Sequence, residues 1–185
     1  MQSEHVIFLD MDGVITDFDT GFKKLSGGLT GDEYRALHGR TEETSLFLSR
    51  GNTFWESLKW MPGGKELLSF VFNHFKSIRI LSSAGTGTDW NRFKKVQIGK
   101  MTWLAENAPY IPKKHIIIVP FASLKSRHSG PNRILVDDKD TTIKQWRISG
   151  GVGILHFGST WQNTINELQK YSVGNIKLRE IVESI

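Results

Sequence analysis

Cysteine is absent from the 185-residue chain, which excludes disulfides, a thiol nucleophile and cysteine-ligated zinc or iron–sulfur centres. Long apolar runs are missing too. Val6-Ile7-Phe8-Leu9 is cut by Asp10 and has no basic segment before it, and no stretch approaches the ~20 apolar residues of a membrane span. A soluble, unprocessed, cytoplasmic protein is the expectation. The six histidines, at 5, 38, 74, 115, 128 and 156, show no H-E-x-x-H or comparable spacing, which argues against zinc. No low-complexity segment or internal repeat occurs, and the hydrophobic fraction of 38% and charged fraction of 23% are those of a folded globular chain. The net charge of +5 favours anionic ligands without separating a nucleotide from a nucleic acid or an acidic surface.

What is present is an alternation of short β-branched runs with longer amphipathic stretches. Val6–Leu9, Ile78–Leu81, Ile116–Val119, Ile134–Val136 and Val152–Leu155 read as buried strands. Helical patterns fit at Lys65–Phe75, Trp90–Glu106, Thr141–Ser149 and Thr160–Tyr171, and a terminal helix is expected over Val173–Ile185. Five strands separated by helices predict an α/β fold with a doubly wound parallel sheet, whose ligand site lies at the carboxyl ends of the strands. The first connection is too long for a simple crossover and ends at Pro62-Gly63-Gly64. It is read as a helical cap inserted at 17–60, with turns at Gly27-Gly28 and Gly51-Asn52, so that 1–16 and 61–185 form the core.

Asp10-Met11-Asp12-Gly13-Val14 closes the first strand. Side chains two apart on an extended chain point the same way, so both carboxylates reach one site, and Gly13 permits a sharp exit. Phosphoryl transfer needs an in-line nucleophile, a proton donor for the leaving oxygen and positive charge around the equatorial oxygens. Asp10 suits the first role, and Asp12 suits the second as acid and then base. Asp137-Asp138 after the fourth strand supplies the hard oxygen ligands that Mg²⁺ prefers, beside Asp10 and the backbone carbonyl of Asp12. Ser82, with the backbone around Ser83 and Gly13, is placed to bind the phosphoryl group. Lys100, on the helix after Ser82, is the choice for neutralising developing charge, and Lys125 is its rival.

Each of these signals has a bland counterpart. Paired aspartates also occur in calcium loops, but an EF-hand starting at Asp10 would need glycine at Ile15 and glutamate at Gly21. Asp137-Asp138 alone would pass for a solvated helix start, and a helical lysine such as Lys100 is usually solvent-facing. Gly63-Gly64-Lys65 fails as a P-loop, because Glu66 replaces the hydroxyl residue and Lys59 the first glycine. Order and placement after strands carry the catalytic reading.

D-M-D-G-V after strand one, S-S after strand two, a helical lysine and D-D after strand four together resemble the haloacid dehalogenase superfamily. Within it the chain is most similar to the 5′(3′)-deoxyribonucleotidases and phage-type nucleotidases, through Asp10–Phe18, Phe54-Trp55-Glu56 leading to Met61-Pro62-Gly63, Lys100–Leu104 and Ile134–Asp138. The resemblance spans Val6 to Trp161. It implies Mg²⁺-dependent hydrolysis of nucleoside monophosphates through a phospho-aspartate on Asp10, with Asp12 as acid/base, Asp137 and Asp138 on the metal, and Phe18, Phe47 and Trp55 stacking the base. Two alternatives stand beside it: a polynucleotide 3′-phosphatase, which the basic balance favours, and a non-catalytic phosphate-binding module. Monomer and homodimer both remain open.

Overall fold

The computed structural model describes residues 3–172, so the expected terminal helix over 173–185 lies outside the described residues. Five strands, β1 (Ser3–Leu9), β2 (Phe75–Ser83), β3 (Ile116–Val119), β4 (Arg133–Asp137) and β5 (Val152–Leu155), form one wholly parallel sheet in the order β3-β2-β1-β4-β5. This is the expected α/β architecture. Strand β1 is central, and its apolar run is buried on both faces because helices cover both. Alternation along the strand sends Ile7 and Leu9 into the larger core with Ile80, Ile134 and Val136, while Phe8 turns to the other face and meets Trp146 with ring centroids 5.2 Å apart.

Helix α5 (Gly64–His74) offers Leu67, Leu68 and Val71 to the larger core, and α6 (Trp90–Asn107) offers Phe93, Val96, Trp103 and Leu104. On the other face α7 (Asp140–Ile148) brings Ile143 and Trp146, whereas α8 (Trp161–Gln169), after β5, returns to the larger core through Leu168. Between β1 and α5 the chain forms α1 (Phe18–Ser26), α2 (Gly31–His38), α3 (Arg40–Leu48) and the single turn α4 (Thr53–Glu56). The ends of α1 and α2 are locally encoded. Asp17 Oδ1 accepts from Thr20 N–H at the start of α1, Thr30 and Glu33 close a reciprocal capping box on α2, and Gly27 ends α1 in the left-handed region.

The two ends of this insertion meet at a narrow neck. Asp17 N–H donates to Lys59 O at 2.9 Å, Met61 N–H to Ile15 O at 2.9 Å, and Thr16 pairs antiparallel with Trp60. Register then levels the strand ends: Leu9 pairs with Ile80 and Val136, and Asp10 N–H donates to Val136 O at 2.9 Å. Asp10, Ser82 and Asp137 therefore converge at the carboxyl edge beneath the insertion.

Candidate active site

Immediately beyond β1 the chain turns back on Met11, whose carbonyl accepts from both Ile15 N–H and Thr16 N–H. That turn holds both early carboxylates in place. Met11 N–H donates to Asp10 Oδ1 at 2.7 Å, and Thr16 Oγ1 donates to Asp12 Oδ1 at 3.1 Å. Gly13 sits at φ 77°, and a Cβ there would lie 2.6 Å from Asp138 Oδ2, so only glycine lets the β1 and β4 loops approach this closely.

Both rival lysines enter the site, each with its own aspartate. Lys100 Nζ, fully buried, donates to Asp12 Oδ2 at 2.7 Å, Ser82 Oγ at 2.7 Å and Ser83 O at 2.9 Å. Lys125 comes from a short 3₁₀ segment, Ala122–His128, and its Nζ lies 2.8 Å from Asp10 Oδ2 and 2.6 Å from Asp137 Oδ2. The two lysines occupy different positions. Lys125 bridges the strand-one and strand-four aspartates, and Lys100 bridges Asp12 to Ser82.

Asp10, Asp137 and Asp138 each offer a carboxylate oxygen within 4.8 Å of the others, a group able to hold a metal ion. The Asp12 carboxylate is not one of the three and is engaged by Lys100 and Thr16 instead. Electrostatics argue that the group suits a cation. Burial raises the Asp10 pKa, but Lys125 and then Lys100 outweigh it, and the net shift is downward. Burial and the Asp10 charge push Asp138 up to about 7, with Lys139 offsetting only part. Burial and the Asp10 charge likewise raise Asp137, against Lys125. Lys125, raised by the same two aspartates against its own burial, stays charged, yet one ammonium among three carboxylates leaves negative charge in excess.

Above these groups lies a cavity of about 340 Å³, lined from below by Asp10, Asp12, Gly13, Ser82, Ser83, Lys125, Asp137 and Asp138 and from above by Phe18, Phe47 and Trp55. All the sequence-predicted site residues border it except Lys100, which lies buried beneath. The three aromatics belong to one cluster with Phe22 and Phe54; Phe47 and Trp55 meet edge-on at 5.2 Å and are almost wholly buried. Most of their surface is thus insertion core, and only part of it faces the cavity.

Sequence reading missed the charged wall of the insertion. Glu43, buried on α3, accepts a two-pronged bond from Arg35 of α2, Nε at 2.6 Å and Nη2 at 2.7 Å. Both border the cavity with Arg40, Asp19 and Asp32. Lys139, next to the acidic doublet, reaches 3.3 Å to Asp32 and 3.5 Å to Asp138, spanning from sheet edge to insertion. The capping box was a readable signal for α2; the α2–α3 pairing had none.

No protein-family model matches the sequence, and no curated protein matches it. Solved structures do match the fold. A haloacid dehalogenase superfamily hydrolase from Ehrlichia chaffeensis superposes with a TM-score of 0.56 at 11% identity, covering 92% of this chain and 98% of that one. A haloacid dehalogenase-like family hydrolase from Xanthomonas campestris gives 0.53 at 11% identity over 90% and 92%. A haloacid dehalogenase-like family protein from Streptococcus pneumoniae gives 0.50 at 14% over 88% and 91%. Among the described residues no helix is long and apolar enough to cross a membrane. With its five-stranded parallel sheet and flanking helices, the chain has the fold of the haloacid dehalogenase-like hydrolases.

Proposed function

We propose that the protein is a Mg²⁺-dependent phosphomonoesterase acting on nucleoside monophosphates, a 5′(3′)-deoxyribonucleotidase in type, with the 17–60 insertion as its cap. One observation carries the reading: two carboxylates leave the central strand side by side, and each is held by a different buried lysine, Asp10 by Lys125 and Asp12 by Lys100. Two aspartates of one turn thereby acquire different environments, which suits them to different roles.

Asp10, kept ionised, attacks phosphorus in line as the bond to the leaving oxygen breaks. Asp12 gives that oxygen its proton. The incoming phosphate dianion draws Lys100 from Asp12 toward the phosphoryl oxygens, which frees the Asp12 carboxylate to carry a proton. In the second step Asp12 takes a proton from water, whose oxygen attacks the phospho-aspartate and releases phosphate and the Asp10 carboxylate. Ser82 Oγ and the backbone at Ser83 and Gly13 bind phosphoryl oxygens. Asp10, Asp137 and Asp138, with the Asp12 carbonyl, would hold Mg²⁺, which supplies charge neutralisation at the transferring group. The partly exposed Phe18, with Phe47 and Trp55, offers an aromatic ceiling for a nucleobase.

A panel of nucleoside monophosphates and short 3′-phosphorylated oligonucleotides, assayed with Mg²⁺ and with chelator, tests chemistry, metal and substrate together. Hydrolysis of the mononucleotides only with Mg²⁺, abolished by Asp10→Asn, is expected. Turnover near wild type in Asp10→Asn refutes the mechanism, and steeply salt-sensitive cleavage of oligonucleotide ends alone moves the substrate to nucleic acid.

A further inference from the structure

A second cavity, of about 290 Å³, opens between α1 and α4 and shares only Asp17 with the catalytic one. Its floor is apolar: Phe54 and Leu58 are buried there, and a Cβ on Gly21 would lie 2.4 Å from Leu58. Its walls carry Lys24 from the last turn of α1, Arg50 from the segment after α3, and Lys59 from the neck. None of these three exposed cations has an ion pair or side-chain hydrogen bond among the described residues. The only carboxylate in the lining is Asp17, which already caps α1 through Thr20 N–H.

The two cavities are opposite in sign. The catalytic one is lined by eight carboxylates, those of Asp10, Asp12, Asp17, Asp19, Asp32, Glu43, Asp137 and Asp138, against four cations, whereas the neck cleft has three cations to one carboxylate. Three like charges around a concave, partly apolar surface focus positive potential, and an anion relieves their mutual repulsion. We propose that this cleft is a second binding site, for a small phosphate-bearing anion whose phosphate meets Lys24, Arg50 and Lys59 and whose body, where it has one, rests on the Phe54–Leu58 floor. The volume suits a small ligand rather than a macromolecular surface. Because Lys59 belongs to the chain leaving the insertion and Lys24 to its first helix, a bound anion ties those two segments together. The site does not depend on the proposed chemistry.

Titration calorimetry at low ionic strength, using full-length Asp10→Asn protein to prevent turnover, tests it with inorganic phosphate and with a nucleoside monophosphate as separate probes. Two sites per chain are expected in the presence of Mg²⁺. Lys24→Glu/Arg50→Glu should weaken one of them at least ~10-fold and leave the other, and Lys59→Gln should weaken the same one less. Raised salt should suppress that site. Tighter binding of the nucleotide than of phosphate assigns the floor to an organic group, and equal binding assigns the cleft to free phosphate. A single site abolished by the charge reversal supports the cleft and, because Asp10→Asn itself removes one of the groups that would hold Mg²⁺, leaves the catalytic reading to the activity panel. The same sites and affinities in parent and both variants, with circular dichroism showing all folded, overturn the proposal.

Discussion

Replacing Lys125 by methionine removes the buried cation that bridges Asp10 and Asp137 while nearly preserving the length of the side chain. The ammonium lies 2.8 Å from Asp10 and 2.6 Å from Asp137 and is 2% exposed, so solvent does not replace it. At an effective dielectric constant of about 20, two unit charges no more than 4.8 Å apart, as in the acidic group, repel by at least about 3.5 kcal/mol. Unpairing one side of a buried ion pair typically costs about 3–5 kcal/mol, which sets the scale expected here. Protonation offers relief, since Asp138 already titrates near 7, so the loss should be larger at pH 8 than at pH 6. Urea denaturation followed by far-UV circular dichroism in EDTA at pH 8 should show a deficit of about 3–5 kcal/mol, and millimolar Mg²⁺ should recover much of it by replacing the lost charge. Lys100→Met should cost less, because its partner Asp12 is 25% exposed and can be solvated. A Lys125→Met deficit under about 1 kcal/mol in EDTA, or one indifferent to Mg²⁺, would refute the charge argument.

Three further outcomes are expected. Gly99→Ala places a Cβ 2.4 Å from Asn52 O, pushing α6 off α4, and should lower stability by about 1–3 kcal/mol in thermal or urea melts. Arg35→Leu strands the buried Glu43 carboxylate and should cost about 2 kcal/mol, largely recovered in Arg35→Leu/Glu43→Leu, a double-mutant cycle that reads their coupling. Burial holds the His156 pKa down to about 4 from 6.5, so the unfolded chain binds the extra proton between those values. Its contribution should be complete above pH 6.5 and fall by up to about 3 kcal/mol as pH drops toward 4; His156→Gln should flatten that part of the stability–pH curve.

Those tests fall partly on residues that were legible in the sequence and partly on residues that were not. Strands β3 and β5 have the spans read from their apolar runs, while β1, β2 and β4 extend into polar neighbours such as Ser82-Ser83 and Asp137, because ladder bonds continue past the buried stretch. The Asp10–Asp12 turn was readable because period-two geometry is local. The lysines were not separable, because helical position does not reveal which aspartate a long, flexible side chain will meet across the sheet; Lys100 and Lys125 are each more than ten residues from their partners. The aromatic residues were identified but their burial was not, since Phe47 and Trp55 pack against Phe54, a neighbour supplied only by the folded insertion. Arg35 and Glu43 lie on separate helices, and no spacing rule couples them.

The neck that joins the insertion to the sheet has an architectural corollary. Ile15 and Thr16 run beside Trp60 and Met61 through backbone bonds that depend little on side chains, so the strand end carrying Asp10 is anchored independently of what the intervening forty-odd residues build. A longer, shorter or unrelated excursion could be spliced across the same two points at modest loop-closure cost. The residues lining the cavity from the sheet edge would remain in register while those lining it from the insertion were exchanged, making this junction the natural place to rebuild one wall of the cavity without disturbing the other.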